Sequence, residues 1–189
     1  MPSTLPHPQP HPQPDQRPTR GAEAHPAPVS PRIDDPMALL RACHEKVVRF
    51  TRLAQRLQAH VAEHGADAQA QEAATAVLRY FTLAAPLHHA DEDENLFVAL
   101  RGLGHADLNA RIDALQQEHD TLGALWLPVQ AWLAQIAQGN AQGLVSTDTP
   151  ADVDAFATRY RAHAEREEAT VYPHAAELGP AVLCALADA

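Results

Sequence analysis

Apolar residues recur three or four positions apart through most of this chain, which is the spacing of one face of an α-helix. Four stripes of this kind cover residues 40–61, 77–99, 108–136 and 153–171. Glycine-bearing breaks separate the stripes around Gly65, around Gly104 and over residues 139–143. The pattern predicts an all-α fold over residues 37–178, an antiparallel up-down-up-down four-helix bundle.

The first 36 residues have a different composition, because they hold 11 of the 16 prolines and almost no apolar periodicity. Such a segment buries too little surface to offset its ordering entropy, so we expect a disordered tail over residues 1–36. It contains three histidines, His7, His11 and His25. Residues 179–189 are expected to form a short C-terminal extension.

The charge balance excludes two classes of partner. The chain has 14 Lys and Arg against 24 Asp and Glu, a formal net charge of −10. A nucleic-acid clamp or a polybasic membrane binder needs a basic face, so we expect neither nucleic acid nor a membrane as a partner. The two distant cysteines, Cys43 and Cys184, cannot build a disulfide framework, which favours a cytoplasmic location.

Several polar residues interrupt the apolar stripes. Two H-x-x-x-E pairs place a histidine and a glutamate on one face of the second and fourth predicted helices, and single histidines lie on the first and third. The set is His44, His88, Glu92, His119, His163 and Glu167. Burying an unpaired carboxylate costs several kcal/mol, so these residues need a shared counter-charge.

Chain geometry predicts that the six residues meet. In an antiparallel hairpin, two residues lie at the same height when the turn is midway between them. The midpoint of His44 and His88 is residue 66, and the midpoint of His119 and His163 is residue 141. The midpoint between the His88/Glu92 pair and His119 falls at about residue 104 or 105. All three midpoints fall in the glycine-bearing breaks, so the six residues are predicted to form one layer.

Imidazole nitrogens together with carboxylate oxygens suit iron, manganese or zinc. Two carboxylates from facing helices can bridge two ions, with histidines as terminal ligands and at least one coordination position open. The alternative is a metal-free buried polar network.

The chain resembles the hemerythrin family, specifically the bacterial hemerythrin-like proteins with the HHE cation-binding domain, over residues 37–178. Each H-x-x-x-E pair is followed by an apolar–aromatic pair, Leu96-Phe97 and Val171-Tyr172. The stretch LRYFTLAAPLHHADEDENLF and the EHD around His119 are also typical. The resemblance implies a non-haem centre of two iron ions with an oxo or hydroxo bridge. The four histidines of the set would be terminal ligands, and Glu92 and Glu167 would be bridging carboxylates.

One departure from the family shapes the functional expectation. Oxygen-carrying hemerythrins have a second histidine on the third helix, but four residues after His119 this chain has Gly123. The resemblance then implies a more open iron site that binds oxygen or another diatomic gas such as nitric oxide, for sensing, storage or scavenging. It favours such a binding protein over an enzyme. The alternatives are a di-iron enzyme or iron-centre repair protein, with peroxidase or ferroxidase chemistry, and an iron-responsive interaction module.

The positions of further residues along the helices indicate which of them lie near the layer. Three are candidates for orienting ligands or protons around the centre, namely His89, Glu118 and Tyr160. Four histidines are expected outside the layer, namely His60, His64, His105 and His174. In the acidic run 91–94, only Glu92 is expected to point inward. Trp126 is expected to pack in the core, where it would also be able to line a gas channel.

Overall fold

The structure is a computed structural model that describes residues 35–140 and 149–187. Within these ranges the chain is helical and contains no strand, which confirms the all-α prediction. The helices are α1 (Pro36–His64), α2 (Ala68–Arg79), α3 (Ala85–Ala90), α4 (Phe97–Arg101), α5 (Ala106–Ala137), α6 (Thr149–Thr170) and α7 (Pro180–Ala187). The predicted tail lies outside the described residues apart from positions 35 and 36, and α1 already begins at Pro36.

Helices α2, α3 and α4 follow one another without a loop, because two π-helical segments, Tyr80–Ala84 and Asp91–Leu96, join them. The first segment directly precedes Pro86, whose ring would clash with a carbonyl in a regular α-helix. The wider turn accommodates that clash, and Ala85 N–H bonds to the carbonyl five residues earlier. π-Helical turns inside α-helices occur frequently at functional sites.

The predicted turns lie where the glycines are. Among the described residues, three glycines have a positive φ, namely Gly65, Gly104 and Gly139, with φ of 71°, 75° and 73°. Asp67 then begins α2 by accepting a hydrogen bond of 2.8 Å from Ala70 N–H. Each glycine ends a helical run. Two of the three midpoints, residues 66 and 104, therefore lie at helix ends, and the third, residue 141, lies outside the described residues.

The long helices pack side by side, with α1 against α2 and α6, and α5 against α2 and α6. Their buried apolar residues form two separate clusters. One includes Val47, Val77, Phe81, Leu122, Leu133 and Phe156, and the other includes Leu40, Leu96, Phe97, Ile112, Leu115 and Val171. On each helical run, the polar residues singled out above fall between the two clusters. The polar layer is therefore enclosed by apolar packing along the helix axes.

The predicted C-terminal extension contains α7, which packs against α1. Its Leu183 and Leu186 contact the apolar cluster that includes Leu40. No helix in the described ranges has the length and apolar character needed to cross a membrane.

Candidate metal centre

The structure brings the six predicted residues into one buried layer. Five separate elements contribute them: α1 (His44), α3 (His88), the second π-helical segment (Glu92), α5 (His119) and α6 (His163 and Glu167). Both glutamates are 0 % exposed. Their role as metal ligands is a separate question, which the geometry and the donor chemistry address.

Glu167 is surrounded by three imidazoles. Its Oε1 lies 2.9 Å from His163 Nε2 and 3.4 Å from His119 Nε2. Its other oxygen, Oε2, lies 3.1 Å from His44 Nε2. One carboxylate therefore reaches histidines from three helices.

Glu92 faces Glu167 from the other side of the layer. Its Oε2 lies 3.6 Å from both His88 Nε2 and His119 Nε2. Its Oε1 accepts a hydrogen bond of 2.5 Å from the Tyr172 hydroxyl, whose oxygen is also 3.2 Å from His44 Nε2. Like Glu167, Glu92 therefore lies close to histidines of more than one helix.

The atoms that face the centre of the layer lack hydrogen-bond partners within the described part of the chain. They are Glu92 Oε2, Glu167 Oε1 and Oε2, His119 Nε2 and His163 Nε2. Some of these atoms are close together, but their orientations do not make hydrogen bonds. A buried polar atom without a partner lowers the stability of the fold by about 1–3 kcal/mol. Five such atoms in one place therefore indicate that something other than a protein hydrogen bond satisfies them. Convergent imidazole and carboxylate lone pairs fit a transition-metal site.

The donor atoms divide into two groups. One group is His44, His88, Glu92 and Glu167, and the other is His89, His119 and His163. Within each group the donor atoms lie within 4.8 Å of one another. Because both carboxylates also contact the second group, the arrangement has the form of two adjacent sites that share two carboxylates.

Three of the histidines are held by a second carboxylate through their outward nitrogen, Nδ1. The pairs are His44 with Glu168 at 2.8 Å, His119 with Asp93 at 3.0 Å and His163 with Glu118 at 2.9 Å. Donation from Nδ1–H leaves the Nε2 lone pair pointing into the layer, which is the usual way in which proteins orient metal-binding histidines. The candidate role of Glu118 agrees with this contact, and Arg166 holds Glu118 in turn.

The expectation that only Glu92 in the acidic run 91–94 points inward is wrong. Asp93 also contacts the layer through His119. The cause is the π-helical segment Asp91–Leu96, which widens the turn, so that two consecutive residues reach the inner side.

Sequence reasoning also missed Glu168 and Tyr172, although an internal repeat marks both. Each H-x-x-x-E pair is followed immediately by an acidic residue and, five positions after the glutamate, by an aromatic residue. In the first copy the Phe97 ring is parallel to His119, with centroids 6.2 Å apart. In the second copy the Tyr172 ring is parallel to His44 at 5.3 Å. Each copy therefore holds one histidine of a neighbouring helix by an acidic contact and an aromatic contact.

The other two candidates for orienting ligands or protons, His89 and Tyr160, also lie beside the layer. The Tyr160 hydroxyl is 2.8 Å from His89 Nε2. The His89 ring stacks on His119 with centroids 4.0 Å apart and an interplanar angle of 9°.

The four histidines expected outside the layer are all away from it. His60, for example, pairs with Asp67 at 3.0 Å. His105 and His174 meet Glu177 in a separate surface group with donor atoms within 4.8 Å of one another.

The pKa values of the two buried glutamates are shifted in opposite directions. Burial and the charge of Glu167 raise the pKa of Glu92 well above its usual value. Burial also opposes ionisation of Glu167, but the neighbouring imidazoles of His119, His163 and His44 outweigh it and hold its pKa well below its usual value. In the metal-free layer Glu167 is therefore the glutamate that ionises more readily.

The pKa values of His88 and His44 are also shifted in opposite directions. Burial lowers the pKa of His88 to about 3, with the charge of His44 adding to the effect. For His44 burial is outweighed by the contacts with Glu167 and Glu168, so its pKa is raised. Neutral His88 is the form that binds a metal, and a cation in the layer would replace the protons that the other residues carry.

A cavity of about 190 Å³ leads to the second group of donor atoms. Its lining includes His89, His119, Gly123, Trp126 and Tyr160. Gly123 is exposed, so the cavity opens to solvent where oxygen-carrying hemerythrins have a second histidine. A larger groove of about 850 Å³ lies elsewhere and contains none of the six residues.

The family model of the hemerythrin HHE cation-binding domain matches residues 35–175. The chain belongs to this family. It is also 31 % identical over 111 residues to an uncharacterized protein of Haemophilus influenzae. That match covers 59 % of this chain and 64 % of the relative, so the chain spans less than two thirds of the relative's length. With the buried cluster of histidines and glutamates, membership in the HHE family makes this a metal-binding protein.

Proposed function

We propose that this hemerythrin HHE domain holds two iron ions and binds oxygen or another diatomic gas at an open iron position. The observation that carries the proposal is the pair of buried carboxylates whose inward oxygens have no hydrogen-bond partner in the described chain. His44 and His88 would be terminal ligands of one ion, and His119 and His163 of the other. Bound iron supplies the electrons and the open coordination position that a diatomic ligand needs.

The openness of the second site supports gas binding. The cavity of about 190 Å³ connects the exposed Gly123 with His119. It is several times the share of liquid volume of one water molecule, about 30 Å³, so a diatomic gas fits. Its other walls are mostly apolar, including Phe81, Leu122 and Phe156, which suits an uncharged ligand.

The residues of the chain have separate duties in this proposal. Glu168, Asp93 and Glu118 hold the imidazoles in position by accepting from their outward nitrogens. Tyr172 fixes Glu92 by donating to its Oε1. The apolar clusters on both sides of the layer would shield the metals from water along the helix axes.

Three broader assignments belong to the same proposal. The antiparallel up-down-up-down bundle is supported by the packing of α1 and α5 against both α2 and α6. Its extent, residues 37–178 with a tail before and a short extension after, is supported by the composition of the sequence. A cytoplasmic location is supported by the two cysteines, Cys43 and Cys184, which are free thiols.

Anaerobic loading with ferrous iron tests the proposal directly. We expect two irons per chain, and changes in the optical spectrum when oxygen, nitric oxide or azide is added. Glu92→Ala and His163→Ala should each lose iron, whereas the control His60→Ala should not. If either site variant kept two irons with an unchanged spectrum, the ligand assignment would be wrong. A stable oxygen adduct supports gas binding, and rapid oxidation with peroxide turnover supports the enzymatic alternative.

A matched pair of variants tests the route to the open position. Gly123→Phe would fill the mouth of the cavity, and Ala124→Phe places the same ring on the neighbouring exposed position, outside the cavity lining. We expect Gly123→Phe to slow azide and nitric oxide binding with an unchanged iron content. Ala124→Phe should bind both at the original rate. Equal rates in the two variants would show that ligands do not enter beside Gly123.

A further inference from the structure

We propose that His105, His174 and Glu177 form a surface site for one divalent metal ion of the zinc class, separate from the buried layer. Two imidazoles and one carboxylate would hold the ion, and water would occupy the fourth position. This inference goes beyond the proposed function and does not depend on it, because none of the three residues belongs to the layer.

The short helix that carries His174 and Glu177 brings their side chains together. Both residues lie on the 3₁₀-helix Tyr172–Glu177, which follows α6. A 3₁₀-helix has three residues per turn, so side chains three positions apart are eclipsed. His174 Nδ1 accordingly lies 2.6 Å from Glu177 Oε1. One turn of the chain therefore supplies two of the three donors.

His105 reaches the same carboxylate from the start of α5. It is the residue directly before α5, and within the described chain its side chain forms no capping hydrogen bond with that helix. Its Nε2 lies 3.7 Å from Glu177 Oε2, which is beyond hydrogen-bond distance. The two oxygens of Glu177 therefore face two different imidazoles.

The distances suit ligands of one small ion. Zinc binds histidine nitrogen and carboxylate oxygen at about 2.0–2.2 Å in a tetrahedral arrangement, which places neighbouring ligand atoms about 3.3–3.6 Å apart. The two N···O distances, 2.6 Å and 3.7 Å, lie on either side of this range, and the three donor atoms lie within 4.8 Å of one another. The side chains of His105 and Glu177 are 46 % and 43 % exposed, so small rotations can bring the donors to the required separation.

Apolar packing fixes the two segments that carry the donors. Leu108 in the first turn of α5 is buried in the same apolar cluster as Ala175 and Leu178, which belong to the 3₁₀-helix and to the position after it. The backbone is therefore held by the core, while the donor side chains remain accessible to an ion. Such a site loses little conformational freedom on binding.

The donor set favours zinc over ferrous iron at this site. Two histidines, one glutamate and one water form a ligand set that zinc uses in proteins. The affinity of such sites for divalent ions is lower for iron than for zinc and copper. The net charge of −10 also attracts cations. A bound ion would tie the start of α5 to the segment after α6.

Equilibrium dialysis of the chelator-treated full chain against zinc, followed by metal analysis, tests the site. We expect His105→Ala, His174→Ala and Glu177→Gln each to bind one zinc fewer than the wild type, whatever number the buried layer holds. The affinity for that ion should fall by more than about 100-fold, because loss of a ligand exceeds the 10–100-fold cost of losing an outer partner. The control His60→Ala removes a surface histidine that also pairs with a carboxylate, Asp67 at 3.0 Å, and should bind zinc as the wild type does.

The triple variant of His105, His174 and Glu177 shows whether the three residues share one ion. We expect it to lose one zinc, as each single variant does. The competing interpretation is a hydrogen-bonded pair of His174 and Glu177 with His105 nearby. In that case each single variant should bind as much zinc as the wild type, with unchanged affinity.

Amide hydrogen exchange locates the ion within the chain. The N–H of His174 bonds to the Val171 carbonyl, and the N–H of Asn109 bonds to the His105 carbonyl. Zinc should slow exchange at both positions in the wild type, because the ion ties the two segments and suppresses local opening. In His174→Ala zinc should leave the exchange of Asn109 unchanged.

The outcomes keep this inference separate from the proposed function. Unchanged zinc binding in the three single variants would refute the surface site, and so would loss of more than one ion in the triple variant. Neither result bears on the buried layer. If the layer binds no metal, the wild type should still bind one zinc at His105, His174 and Glu177.

Discussion

Glu92 and Glu167 occupy the same position in the H-x-x-x-E repeat, but the metal-free protein should respond differently when each is replaced by glutamine. Glu167 has three imidazole nitrogens within 3.4 Å and carries the negative charge of the layer. Glu92 has no imidazole nitrogen closer than 3.6 Å, and its raised pKa favours the protonated form. Glutamine closely resembles a protonated glutamic acid, so only Glu167→Gln removes a charge.

The expected loss of stability in each variant follows from the contacts of the glutamate that is replaced. Removing one partner of a buried ion pair costs about 3–5 kcal/mol. In a protein of this size each kcal/mol shifts the unfolding temperature by about 2–4 °C, so Glu167→Gln should lower it by about 6–20 °C. Glu92→Gln should cost less than about 1 kcal/mol, because the amide oxygen can still accept from Tyr172.

Thermal unfolding of chelator-treated protein at pH 7 measures this difference. Glu165→Gln is the matched control, because it removes an exposed carboxylate from the same helix. The unfolding measurements are then repeated in the presence of metal. A metal at a concentration of 100 times its dissociation constant stabilises the folded protein by about 2.7 kcal/mol. Both site variants should lose most of that stabilisation, since each removes a carboxylate that is proposed to bridge the two metals.

The pH dependence gives a second check with a defined sign. A carboxyl group whose pKa is raised by folding contributes stability at low pH that is lost as the pH rises through the folded pKa. The wild-type metal-free protein should therefore lose stability relative to Glu92→Gln as the pH rises from the usual glutamate pKa of 4.5 toward the raised pKa of Glu92. If Glu92→Gln instead destabilised the metal-free protein as much as Glu167→Gln does, the assignment of the negative charge to Glu167 would be refuted.

Three further predictions concern the surroundings of the layer. Tyr172→Phe should lower the metal-free stability by about 1–2 kcal/mol in urea unfolding, because one hydrogen bond to Glu92 is lost; an unchanged stability would show that this contact contributes nothing. Burial lowers the pKa of His89 to about 2, so the unfolded chain takes up its proton first, and stability falls as the pH drops below about 6.5. His89→Gln should therefore reduce the loss of metal-free stability between pH 7 and pH 5 by up to about 2 kcal/mol, and an unchanged loss would contradict this origin. Glu118→Gln should weaken metal binding by about 10–100-fold through poorer orientation of His163, and unchanged affinity in a metal titration would show that this contact has no such role.

Much of the centre can be found from the sequence because it depends on periodicity and on distance along the chain. The apolar stripes identify the helices, and the glycines mark the turns. Histidines equidistant from a turn, such as His44 and His88, must then lie at one height. The same spacing places Glu92 and Glu167 on the inner faces of their helices.

Other members of the layer follow from features that regular helical periodicity does not contain. Asp93 reaches His119 because a π-helical segment widens the turn. Glu168 reaches His44 across 124 positions of sequence, and Tyr172 reaches Glu92 across 80. The internal repeat marks these residues as a pattern, but only the packed helices show which histidine each one contacts.

The sequence by itself determined the helical class, the glycines that end the helices and the six residues of the layer, because helix period and helix ends are local properties of the chain. The tertiary structure alone decided which glutamate carries the charge, how each imidazole is oriented and where His89 points. Those properties depend on burial and on charges brought together from distant segments. Two glutamates with the same local pattern therefore differ in pKa, because one has three imidazoles at close range and the other has a tyrosine hydroxyl.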